Sequence, residues 1–180
     1  MLPPEHRQTL LRIARESIAG SFEGRRPALS ASDFDETLCR PAGAFVTLTT
    51  QGQLRGCIGS IHPIAPLFQA VSQSALNAAF RDPRFAPLRR EELPLLHLEI
   101  SVMGPIEPTA PEEVEVGLHG LIISRGRQAG LLLPQVPTEY GWDRETFLAH
   151  TCLKAGLPRD AWRSPDVRLE RFAAEVFGES

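Results

Sequence analysis

Apolar residues Leu10, Leu11, Ala14, Ile18 and Phe22 recur at helical spacing after a proline-rich start, which predicts a first helix closed at Gly24. The stretch from 24 to 43 loses that period and reads as a loop, with a short helical turn around Asp33 to Cys39. At Ala44 the pattern changes again. "AFVTLTT" and "QLRGCIGSI", separated by Gln51-Gly52, predict a β-hairpin. Pro63 and Pro66 lead an alanine-rich helix whose Leu67, Val71, Ala75 and Ala78 share a face, and Asp82-Pro83 breaks it. In "LLHLEISVM", Leu96, Leu98, Ile100 and Val102 point one way while His97, Glu99 and Ser101 point the other, so this is a strand. A second hairpin, "LHGLIIS" and "QAGLLL", turns at "RGR". A helix follows from the N-cap Asp143 through Phe147, Leu148, Thr151 and Cys152 to Gly156, and "VRLERFAAEVF" closes the chain with its first half as a strand.

Hairpin, helix and strand thus occur twice in the same order, and Gly52 and Gly56 of the first hairpin match Gly126 and Gly130 of the second at a shift of 74. The expected fold is α+β, with mainly antiparallel sheets and packed helices. Two β-β-α-β units, about 44–103 and 118–177, would form two lobes around a cleft within a single domain of 180 residues. Internal duplication and independent arrival at one order both fit. The formal net charge of -3 supplies no field for bulk polyanion or membrane binding, so nucleic acid is not an expected partner. Three widely spaced cysteines, Cys39, Cys57 and Cys152, give neither a disulfide framework nor a C-x-x-C site. No leader-like or membrane-spanning run is visible, and a reducing cytoplasm is the expected location.

Chemistry is suggested in few places. "DFDETL", Asp33 to Leu38, matches a D-x-D-x-T phosphotransferase pattern, but "PALSAS" before it cannot form the buried strand that chemistry needs, so a capped turn is expected instead. In "QLRGCIGSI", alternation puts Arg55 and Cys57 on one face and Leu54, Gly56 and Ile58 on the other. A simple turn sets Leu48 opposite Arg55 and Val46 opposite Cys57, a partly apolar setting for the thiol. A cation about 7 Å away would favour thiolate by about 0.6 kcal/mol in water and about 2.4 kcal/mol at an effective dielectric of 20. Apolar burial opposes this, and a cysteine in an apolar strand is also a good small core residue. Gly56 and Gly59 would leave backbone open to a ligand, and Gly59-Ser60 could offer donors to an anion before the proline-led helix. His97, Glu99 and Ser101 read as a histidine-carboxylate-nucleophile row or as the wet face of a sheet. Arg81, Arg84, Arg89 and Arg90 could gather phosphate or pair with Glu91 and Glu92. His119 and His150 share no ligand spacing, so neither a metal nor a cofactor is called for.

"FVTLTTQGQLRGCIGS" resembles the signature hairpin of the AMMECR family, and the likeness continues through "DPRFAPLRREELPLLHLEISV", "VGLHGLIISRGRQAGLLLPQVPTEYGWDRETFL" and "KAGL". It spans nearly the whole chain. The matching motif residues are Leu54 to Gly59, then Asp82, Arg84 and Phe85, then His119-Gly120, then Pro134, Glu139 and Trp142, without departure. The resemblance, which in the family's long form is to protein A of the three-part AmmeMemoRadiSam system, implies a cytoplasmic two-lobed α+β protein with a cleft lined by the signature. It also implies a pathway relation to a Memo-type protein and a radical S-adenosylmethionine enzyme.

The expected function is that of an enzyme or enzyme component binding a small molecule beside the signature. Cys57 is the candidate nucleophile and Arg55 the holder of an anionic group. Leu54, Gly56, Gly59, Ser60, Arg84, His119 and Glu139 are the candidate binding residues. The rival reading is a non-catalytic adaptor that docks those partners, and a third is nucleic-acid binding by the scattered arginines.

Overall fold

The computed structural model describes residues 1–179. The chain forms two compact units, one of Met1–Met103 together with the segment from Glu175 onward, the other of Gly104–Ala174.

In the first unit, helix α1 (Pro4–Ser21) buries Leu10, Ala14 and Ile18 of the expected stripe and adds Ile13, while Leu11 and Phe22 are half-buried. Each such side chain fully withdrawn from water is worth about 1.5–3 kcal/mol for the larger residues. The "DFDETL" acids are spent locally, as expected of a capped turn. Asp33 accepts the Ser30 N–H at 3.2 Å, and Asp35 caps the short helix α2 (Glu36–Cys39) by accepting the Leu38 N–H at 3.1 Å. Strands β1 (Ala44–Thr50), β2 (Gln53–Ser60) and β3 (Leu96–Met103) make an antiparallel set with β1 in the middle and β2 at the edge. Gln51 (φ 51°) and Gly52 (φ 76°) both take the left-handed conformation that a two-residue hairpin turn requires. Helix α3 (Leu67–Phe80) covers the face carrying Val46, Leu48, Leu98 and Ile100, and α1 packs on α3.

The second unit contains β4 (Glu107–Pro108), β5 (His119–Arg125), β6 (Gln128–Leu132), helices α4 (Gln135–Tyr140) and α5 (Arg144–Lys154), and the first part of β7 (Arg168–Gly178). β5 pairs with both β6 and β7 in antiparallel register, and β4 pairs with β7. Asp143 caps α5 by accepting the Thr146 N–H at 2.8 Å. Phe147, Leu148 and Cys152 of that helix join Leu121, Ile123 and Leu169 in the core.

Two expectations need correction. Helix α4 forms where none was expected, because Pro137 sits in a single short turn that Gly141 (φ 65°) ends. The closing strand runs through all of Arg168–Gly178 rather than its first half. Its early residues pair with β5 in the second unit. In the first, the Glu179 N–H just beyond its end donates to the Leu98 carbonyl at 3.0 Å, partners that local alternation could not reveal. The fold is α+β, and hairpin, helix and strand follow one another in each unit.

Candidate functional site at the Cys57 strand

The signature occupies β2, and its register differs from that of a simple hairpin. Thr50 pairs with Gln53 and Thr49 with Leu54, but a bulge then leaves Arg55 without an opposite residue. Leu48 therefore pairs with Gly56, Thr47 with Cys57 and Val46 with Ile58. The thiol faces Thr47, not Val46, and its Sγ lies 3.2 Å from the Thr47 Oγ1. Thr47 in turn stands opposite Glu99 of β3. Cys57, Thr47 and Glu99 form a row across three strands on the face turned away from α3. The expected apolar setting of the thiol is replaced by a hydroxyl-bearing one, since one extra residue shifts every partner by one place.

Cys57 turns its backbone polar groups outward from the edge strand, and both are held. Its N–H donates to Asp82 Oδ2 at 3.0 Å, and its carbonyl accepts from Arg84 Nη2 at 3.2 Å. The Asp82 side chain is only 1% exposed and also accepts from the Arg84 N–H (3.1 Å), Nε (3.0 Å) and Nη2 (2.7 Å). The Arg84 hydrogen bonds, against the opposing effect of burial, hold this carboxyl far below the ordinary range, so it stays ionised. Asp82 and Arg84 thus pair the otherwise open edge of β2 at this residue.

Arg55 was expected to hold an anion, and the structure gives that place to Glu92. Arg55 Nε and Nη2 reach the two Glu92 oxygens at 2.7 and 3.2 Å, and Nη2 also donates to the Ala86 carbonyl at 3.0 Å. Glu92 is held down to about 2, first by Arg55 and then by the Arg89 N–H. Phe85 lies under both guanidiniums, 5.9 Å from Arg55 and 5.5 Å from Arg84. The Arg55 Nη1 is buried with no hydrogen-bond partner among the described residues.

Gly56 is buried and closed to a ligand, whereas Gly59 is half-buried and borders a hollow. A methyl at Gly56 would overlap the Ala78 carbonyl of α3, and one at Gly59 would overlap the Ala44 carbonyl and the Phe45 ring. Close approach within the protein explains both. Leu54 is 42% exposed, and the Ser60 hydroxyl is taken by the His62 N–H at 3.1 Å. A hollow of about 520 Å³ does border Ile58, Gly59 and Ser60, but it lies on the α3 side of β2, and neither Arg55 nor Cys57 lines it. In the row on β3, His97 is exposed, Glu99 half-buried and Ser101 buried, so it is not a uniformly wet face. The loop arginines do not cluster. Arg84 pairs with Asp82, while Arg89 lies 3.7 Å from Glu92 and Arg90 3.7 Å from Glu23.

His119 and Glu139 belong to the second unit. The His119 Nδ1 accepts the Glu115 N–H at 3.0 Å, and burial, aided by Arg171 and opposed by Glu115 and Glu107, pushes the imidazole down. Glu139 is exposed on α4. Trp142 stacks on His150 at 4.0 Å and on Tyr140 at 5.0 Å. No group of His, Cys, Asp or Glu side chains among the described residues is arranged to hold a metal ion. No helix among them is long and apolar enough to cross a membrane.

The residues that organise the signature most directly, Thr47, Asp82 and Glu92, were not among those proposed for the site. In the sequence Asp82 reads as a helix breaker and, by resemblance, as a motif residue beside Arg84 and Phe85. The usable signal was that β2, entered from a turn and left towards a helix, had an edge whose outward groups needed partners.

Several known proteins are similar to this chain. A protein from Methanothermobacter thermautotrophicus is 44% identical over 179 residues, covering 96% of this chain and 93% of its own. One from Nanoarchaeum equitans is 44% identical over 178 residues, covering 94% of this chain and 98% of its own. The crystal structure of an uncharacterised protein from Pyrococcus horikoshii superposes with a TM-score of 0.84 at 43% identity, over 96% of this chain and 90% of that one. The AMMECR1 family model matches residues 11–177, and the chain belongs to that family.

Proposed function

We propose that this protein is a cytoplasmic enzyme or enzyme component that acts through the Cys57 thiol on a small molecule, in a pathway shared with a Memo-type protein and a radical S-adenosylmethionine enzyme. The thiol proton leaves to water, the thiolate sulfur adds to a carbonyl carbon as its C=O π bond opens, the electron pair moves to the oxygen, which takes up a proton from water, and the adduct is either turned over or carried. The observation that supports this reading is the clamp on Cys57. Asp82 and Arg84 hold its N–H and carbonyl, while its half-buried side chain meets a hydroxyl, Thr47 Oγ1, on the face away from the helices. A rigid backbone that holds a side chain in one place is what a reacting group needs. Arg55, engaged by Glu92, has a supporting role in this proposal.

A second reading, a non-catalytic adaptor docking those same partners, is favoured by the internal partners found for Arg55, Gly56 and Gly59, which make the signature a well-packed edge. Comparing Cys57→Ser and Cys57→Ala for melting temperature and for complementation of a deletion strain separates the two. Under the thiol reading both variants fold and neither complements. A stable Cys57→Ala protein that complements fully removes the thiol and leaves the adaptor.

A further inference from the structure

The hollow on the α3 side of β2 is independent of the Cys57 site, and its lining has a consistent chemistry. Small residues, Ala44 and Ala70 among them, form part of its lining. Its volume, about 520 Å³, falls in the range of about 300–1,000 Å³ common to small-molecule sites. Three kinds of surface meet there. Pro27, Leu29, Ile58 and Ile64 are apolar walls. Gln69, Gln73 and Asn77 stand four residues apart on α3 and make one amide stripe. Within that stripe the Gln73 Nε2 donates to Asn77 Oδ1 at 3.1 Å, which leaves a carbonyl oxygen on Gln73 and an N–H₂ on Asn77 to serve a further partner. At the exposed rim stands Arg26. The carboxylate three residues before it, Glu23, is paired with Arg25 and Arg90, and Arg26 has no ion pair among the described residues.

We infer that this hollow binds a small organic acid with an apolar body and an amide or carbonyl close to its carboxylate. The body lies against the apolar walls, the neutral polar group meets Gln73 and Asn77, and the carboxylate meets Arg26. An apolar molecule would cover the solvent-facing amide stripe without replacing its water partners, which desolvated polar groups tolerate poorly. A dianionic or phosphorylated ligand would call for more fixed cations than one arginine and one exposed histidine, His62, provide.

The test titrates the full chain with N-octanoylglycine and with its neutral counterpart, N-octanoylglycinamide, followed by calorimetry and by amide side-chain NMR signals. The acid is expected to bind saturably at one site, to shift the Gln73 and Asn77 side-chain resonances, and to bind about tenfold more tightly than the neutral compound. Arg26→Gln should reduce the acid to the affinity of the neutral compound. Ala70→Leu, which fills the hollow, should weaken both. Should Ala70→Leu fail to fold, Gln73→Glu at an exposed helix position provides the second variant, and it should weaken the acid selectively. Acid binding that does not saturate, that equals binding of the neutral compound, or that is indifferent to both Arg26→Gln and Gln73→Glu overturns the inference.

Discussion

The carboxylate of Asp82 accepts the backbone N–H of Cys57 at 3.0 Å, joining the residue that ends helix α3's run to the middle of the edge strand. Removing it should cost stability and loosen the thiol together. Asp82→Ala leaves a backbone donor without its acceptor and Arg84 without its partner, for a loss of about 1–3 kcal/mol in urea unfolding. Faster alkylation of Cys57 in the native protein should accompany it. A variant as stable as wild type, with unchanged labelling, would show that the clamp does not hold the strand.

Acid should unfold the protein through these same carboxylates. Glu92 falls from its ordinary 4.5 to about 2 on folding, and Asp82 is depressed further. A carboxylate depressed in the folded state contributes its full stabilisation above its unfolded value and loses it as pH falls through the folded one. The urea midpoint should therefore hold above about pH 5 and decline from about pH 4.5 towards 2. In Glu92→Gln the decline should be shallower, with lower stability at neutral pH. An identical pH profile in the variant would remove Glu92 from the effect.

Glycine replacements should separate crowding from backbone conformation. At Gly56 a methyl meets the Ala78 carbonyl, and at Gly130 it meets the backbone of Ala155, so alanine at either should cost about 1–3 kcal/mol or more by overpacking. At Gly52 there is open space, but φ is 76°, and alanine there should cost about 1–2 kcal/mol through strain alone. Thermal unfolding of the three variants checks this. An Asn at position 52, tolerant of the left-handed region, should recover much of the loss there, whereas Asn at 56 should be worse than alanine.

Native-state alkylation should rank the thiols. Cys152 is fully buried and its thiol is pushed up by burial, whereas Cys57 is half-buried. Mass spectrometry over a pH series should find Cys57 modified well before Cys152. Protection of Cys57 until global unfolding would exclude covalent chemistry at this residue.

Much of this molecule is determined by neighbours along the chain. The period of Leu10, Ala14 and Ile18 builds α1, Gln51-Gly52 turns the first hairpin, and Asp35 and Asp143 cap the helices that follow them. Such features are legible in the sequence because residues a few positions apart decide them. The candidate site was legible only in outline. The cysteine, the arginine and the glycines of β2 stood out, but their partners did not. One bulged residue, Arg55, replaced Val46 by Thr47 beside the thiol, and no local pattern marks where a strand accepts an extra residue. Glu92 reaches Arg55 across 37 positions and Asp82 reaches Cys57 across 25. Both pairs depend on where the loop after α3 returns to the strand. Charge type and spacing show that such groups can pair. Which carboxylate meets which arginine, and which side of β2 faces a helix or a hollow, is decided by packing between segments distant in sequence.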